Sequence, residues 1–78
     1  MLKITKISTG LFLTPKLSGN DALNRGLDLR NAGRFNAAHD AFEQAYQIFR
    51  EEGYGRGEYI TLRHLGETDL IRSNPQEA

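Results

Sequence analysis

The sequence predicts an all-α fold: a tight antiparallel helix pair, a third helix, and an N-terminal β-hairpin or extended arm. Three observations carry this. Small residues recur at Gly26, Ala38 and Ala45, where helix axes must come close. Gly33 falls between the two halves of residues 22–45, where a helix must stop. Phe35 and Phe42 supply the bulk that the small residues leave room for.

Composition narrows the class of protein. A chain of 78 residues is one small domain. Its hydrophobic fraction of 38% is lean for a core, so close packing has to do more than bulk burial. The formal net charge is zero, so no global field draws in nucleic acid or an anionic membrane. Arginines at 25, 30, 34, 56, 63 and 72 are interspersed with acids, which also argues against nucleic acid. The chain has no cysteine, which excludes disulfides and thiolate metal sites without indicating a redox compartment. No apolar run approaches the ~18–20 residues that span a bilayer, and a cytoplasmic location is expected.

Residues 1–19 stand apart from the helical domain expected over 20–78. The first twenty residues hold Lys3, Lys6 and Lys16, the hydroxyls of Thr5, Ser8, Thr9 and Thr14, and no acid. Leu2 and Ile4 alternate, as do Leu11 and Leu13, and Ser8-Thr9-Gly10 suits a short turn, so a β-hairpin is one reading. An extended arm lying on another surface is the second. A cleaved organelle-targeting peptide is the third, against which stand the missing arginines and poor helical amphipathicity. An isolated hairpin is marginal in water, so either structural reading needs a surface to pack on. Pro15 closes the segment because it lacks a ladder donor.

The first helix is expected over 21–32, with Ser18 or Asn20 as its cap and Asp21 completing a capping-box-like start. Ala22, Gly26 and Leu29 form its inner face, with Leu23 and Leu27 on the neighbouring stripe. Gly26 costs ~1 kcal/mol in helix propensity, which close approach of the next helix would offset. The second helix is expected over 36–51, with Phe35 stapling the turn ahead of it. Ala38, Ala41, Phe42, Ala45, Ile48 and Phe49 follow three-and-four spacing. The alternating glycines of residues 53–57 invite a phosphate-loop reading, but a helix rather than a strand precedes them, so an inter-helix turn is expected.

The third helix is expected over 57–72. Tyr59, Leu62, Leu65 and Gly66 make one face, and Ile60, Leu70 and Ile71 widen it. Asn74, Pro75 and Glu77 then spell another helix start. The sequence stops at Ala78, so the expectation is either a chain cut short relative to its ancestry or a fragment of a longer repeat array.

An internal repeat at an offset of forty residues links Gly26 to Gly66 and Ala38 to Ala78, with turns at 33–35 and 73–75 in phase. At these residues the chain resembles the tetratricopeptide repeat family. Gly26, Leu29, Ala38, Phe42 and Ala45 match the family pattern, and Leu62, Leu65, Gly66 and Ala78 match it again. Ala22 and Arg25 depart from the usual tryptophan and leucine, and Asp69 stands where an aromatic is usual. The period exceeds the usual ~34, as in lengthened members of the family. The resemblance spans residues 22–78, about one and a half repeats.

The resemblance implies a non-catalytic adaptor or scaffold that binds a protein or peptide along the first helix of each pair. Carried onto this chain, that face comprises Leu23, Asn24, Leu27, Arg30 and Asn31, then Arg63, His64, Glu67 and Leu70. Leu23 and Leu27 replace the lysine and asparagine of the family's carboxylate clamp, so a clamp for a C-terminal carboxylate is not expected. Packing of Leu23 and Leu27 against residues 1–17 is the competing reading.

Catalytic, cofactor and metal assignments are all none. His39 with Glu43 and His64 with Glu67 have spacings that could orient a base or ligate a metal, but they read as solvated helix faces. The alternative function is a self-associating structural unit. One helix pair and one orphan helix leave apolar surface uncovered, which predicts a homodimer with the third helix and the N-terminal segment at its interface.

Overall fold

The computed structural model describes residues 17–73. The expected hairpin, arm or targeting segment and the helix start at 74–78 lie outside these residues. Within them are three helices and no strand. We label them α1 (Gly19–Asn31), α2 (Phe35–Glu51) and α3 (Gly55–Arg72).

The helix starts correct the sequence reading by one or two residues. Ser18 has an extended backbone, and its hydroxyl accepts the Asp21 N–H at 3.0 Å. A cap bonds the third residue inside the helix, so α1 begins at Gly19 rather than Asp21. Phe35 does not precede α2 but opens it, and α3 starts at Gly55, so only Gly53 of the glycine series serves the turn.

Both connections use one device. After α1, Gly33 takes φ +80°, its N–H donates to the Arg30 carbonyl at 2.9 Å, and the Arg34 N–H donates to the Leu29 carbonyl at 2.9 Å. After α2, Gly53 takes φ +72°, its N–H donates to the Arg50 carbonyl at 3.1 Å, and the Tyr54 N–H donates to the Phe49 carbonyl at 2.9 Å. These are two Schellman turns, in which a left-handed glycine lets the chain satisfy the last carbonyls of the helix while reversing direction. A side chain at either glycine would be strained by the backbone itself.

Reversal at both turns sets α1 and α3 parallel to each other and antiparallel to α2. At one end Gly19, Phe49 and Gly57 meet. At the other, Arg30 of α1 pairs with Glu67 of α3 at 3.2 Å, and Arg72 of α3 donates to Asn36 of α2 at 3.0 Å. α2 packs extensively on both neighbours, which touch each other at only a few points.

The core is small and ring-centred. Ala22, Ala38, Ala41, Phe42, Ala45 and Phe49 are its buried hydrophobics. Phe42 lies over Gly26, where an added Cβ would fall 2.5 Å from the ring. Phe49 lies between Gly19 and Gly57, where a Cβ would fall 2.3 and 2.6 Å away, and the Tyr54 ring tilts against it at 5.5 Å. Burial of one phenylalanine contributes roughly 1.5–3 kcal/mol, so two rings dominate a core whose other members are alanines.

The apolar residues of α3 are turned largely outward. Gly57, Thr61 and Thr68 are its buried residues, while Tyr59 is 63% and Leu70 is 73% exposed. Leu62 and Ile71 are also exposed, and Leu65 and Ile60 are half-buried. The reason is the shape of α2. Phe49 occupies the space where a side chain at Gly57 would go, and Phe42 stacks on the flat His64 ring at 5.4 Å. Small and planar groups therefore turn inward, and the larger aliphatics turn outward. Thr61 tolerates burial because its hydroxyl donates to the Gly57 carbonyl at 2.7 Å. Gly66, the counterpart of Gly26 forty residues on, has no atom within 4 Å of a built Cβ among the described residues.

Candidate functional site

The face expected to bind a partner is drawn together around Glu67. α1 delivers Arg30 near its C-terminus, and α3 delivers Arg63, His64 and Glu67 over one turn. Arg30 Nη1 lies 3.2 Å from Glu67 Oε1, Arg63 Nη2 lies 3.8 Å from Glu67 Oε2, and His64 Nδ1 lies 3.6 Å from Glu67 Oε1. One carboxylate thus faces three bases from two helices. The Arg30 guanidinium also stands 5.7 Å from the Phe42 ring centroid, a cation–π geometry. Phe42 therefore carries His64 on one contact and Arg30 on another.

The remaining residues of the expected face are less tightly joined. Leu23 is half-buried and packs with Leu17 and Ile48 against Ala22, Ala45 and Phe49, so part of it belongs to the core. Leu27 is half-buried, whereas Asn24, Asn31 and Leu70 are exposed.

Burial of His64 on Phe42 holds its imidazole pKa below the usual 6.5, and Arg30 and Arg63 push the same way, against the opposing pull of Glu67. His64 is therefore a neutral, stacked ring at physiological pH and leaves Glu67 to pair with arginine.

In each histidine pair the imidazole is half-buried while its glutamate is exposed. The side chains of His39 and His64 are 17% and 23% exposed. His39 Nδ1 sits 2.8 Å from Asp69 Oδ1 of α3, and its Nε2 sits 3.3 Å from Glu43 Oε2. Arg72 lies 3.4 Å from the same Asp69 oxygen and donates to Asn36. The Arg72–Asn36 hydrogen bond joins this end of α3 to α2, with His39 and Asp69 in close approach beside it. Spacing along one helix finds His39 with Glu43, but not the Asp69 contact across the interface.

His39, Asp40 and Glu43 offer donor atoms within 4.8 Å of one another. Asp40 and Glu43 are exposed on a single helix, an arrangement common without a metal, and no metal is assigned to it.

A second feature had no sequence reading. A groove of about 570 Å³ runs between α2 and α3, walled by Asp40, Glu43, Gln44, Tyr46 and Gln47 and floored by Leu62 and Leu65. The polar run 40, 43, 44, 47 was visible as one helix face. That it borders outward-turned leucines followed only from the rotation of α3.

No family model matches the chain, and no curated protein or solved structure matches it. Among the described residues no helix is long and apolar enough to cross a membrane.

Proposed function

We propose that this chain is a tetratricopeptide-like interaction module that takes a protein or peptide along the face shared by α1 and α3. One observation carries the reading: two parallel helices stand side by side against α2, with Arg30, Arg63, His64 and Glu67 clustered between them. The repetition of one glycine turn after α1 and α2, and the Gly26–Phe42 contact at the matched positions, support a helical repeat. A face with exposed Leu70, half-buried Leu27 and an arginine-rimmed carboxylate suits an extended segment offering apolar and acidic side chains.

Selection of binders from a random peptide library against the full chain tests this. Selected peptides should shift the amide signals of Leu27, Arg30, Arg63 and Leu70. Shifts confined to other surfaces would overturn it.

A second reading is self-association along α3. Tyr59 and Leu70 stand out on this helix at 63% and 73% exposure. Light scattering at micromolar concentration decides it. A mass of one chain, with melting independent of concentration, removes the dimer.

A further inference from the structure

We propose that the groove between α2 and α3 is the docking site of the chain's own basic N-terminal segment, residues 1–16. The inference rests on charge, apolarity and reach.

The groove carries the carboxylates of Asp40 and Glu43 and no base among its lining residues. Glu43 meets His39 alone, and Asp40 has no ion-pair partner among the described residues. The sequence is divided in the complementary sense. All three lysines, Lys3, Lys6 and Lys16, fall within residues 1–16, and every acid of the chain lies after residue 20. The competing surface, between α1 and α3, presents the guanidinium groups of Arg30 and Arg63, which repel lysine.

Apolar matching acts with charge. Leu62, 49% exposed, and Leu65 floor the groove. Residues 1–16 bring Leu2, Ile4, Ile7, Leu11, Phe12 and Leu13. Burying these against leucine removes apolar surface on both sides.

Reach is sufficient. Leu17 is anchored on the cluster that contains Phe49, and Gln47 at the near end of the groove lies two residues before Phe49. Sixteen residues extend at most ~53–58 Å, against roughly 26 Å for the whole length of α2.

Paramagnetic broadening in the full chain tests the proposal, and the absence of cysteine allows a single nitroxide at Ser8→Cys. Amide signals of residues 40–47 and 62–65 should lose intensity, while those of Leu23 and Leu27 keep it. Asp40→Lys with Glu43→Lys should restore the lost intensity, since both side chains are exposed and the fold should persist. If that pair fails to fold, Lys3→Glu with Lys6→Glu and Lys16→Glu gives the same reading from the other side.

Unchanged intensity in residues 40–47, or loss centred on Leu23 and Leu27, overturns the proposal. So does broadening that survives charge reversal. Broadening in an isotope-labelled chain without nitroxide, when mixed with nitroxide-bearing unlabelled chain, assigns the groove to a second copy and also overturns it.

Discussion

Phe42 packs onto Gly26 so closely that a β-carbon added there would sit 2.5 Å from the ring, inside any tolerable contact. At this point the α1–α2 interface is therefore built on the absence of a side chain. Gly26→Leu should cost ~1–3 kcal/mol or more through overpacking. An unchanged denaturation midpoint would show that the helices are further apart. Gly66 is its counterpart forty residues on, yet open. Gly66→Ala should leave packing alone and gain up to ~1 kcal/mol in helix propensity. The two glycines thus predict opposite signs in one unfolding experiment.

Among the described residues, Phe49 is the only buried ring that touches a glycine of α1 and a glycine of α3. Phe49→Ala removes the shared contact of all three helices and should cost ~3–5 kcal/mol. In so small a domain that approaches the whole stability. Far-UV circular dichroism should show loss of helix, and a cooperative melt close to wild type would count against this account.

His64 makes stability depend on pH. Its folded pKa lies below 6.5, chiefly because burial disfavours the charged ring and secondarily because Arg30 is near. The unfolded chain then binds the proton first as pH falls. The contribution is fully present above about 6.5 and is lost as pH descends through the lowered folded value. His64→Phe keeps a ring on Phe42 but cannot titrate. The difference in Tm between wild type and this variant should widen in favour of the variant on going from about pH 8 to pH 5. A constant difference would refute the assignment.

The Arg30–Glu67 pair links α1 to α3, but half of the Glu67 side chain is exposed to solvent. A double-mutant cycle with Arg30→Ala and Glu67→Ala should therefore give a coupling of only ~0.2–1 kcal/mol. Added salt should reduce it. A coupling of several kcal/mol, insensitive to salt, would mean that the pair is structural rather than part of an open face.

The sequence by itself determined the helices and the faces of α1 and α2. Ala22 and Gly26, and then Ala38, Ala41, Phe42, Ala45 and Phe49, fall at helical spacing and are buried as the pattern requires. Gly33 and Gly53 mark both turns because only glycine adopts the left-handed backbone at no steric cost. These are local properties, set within a turn or two of the residue concerned. The tertiary structure alone decided which side of α3 faces inward. Hydrophobic spacing groups Tyr59, Leu62 and Leu65 on one face, but α2 presents two large rings, and Gly57, Thr61, His64 and Thr68 fit around them. Shape at a contact depends on both partners, and one helix's sequence records only its own half. The same limit hid the His39–Asp69 contact and the acidic groove, which join residues of α2 to residues about twenty to thirty positions later on α3. Such pairs follow from the turn at Gly53 and the rotation of α3 about its axis, and close packing in three dimensions fixes that rotation.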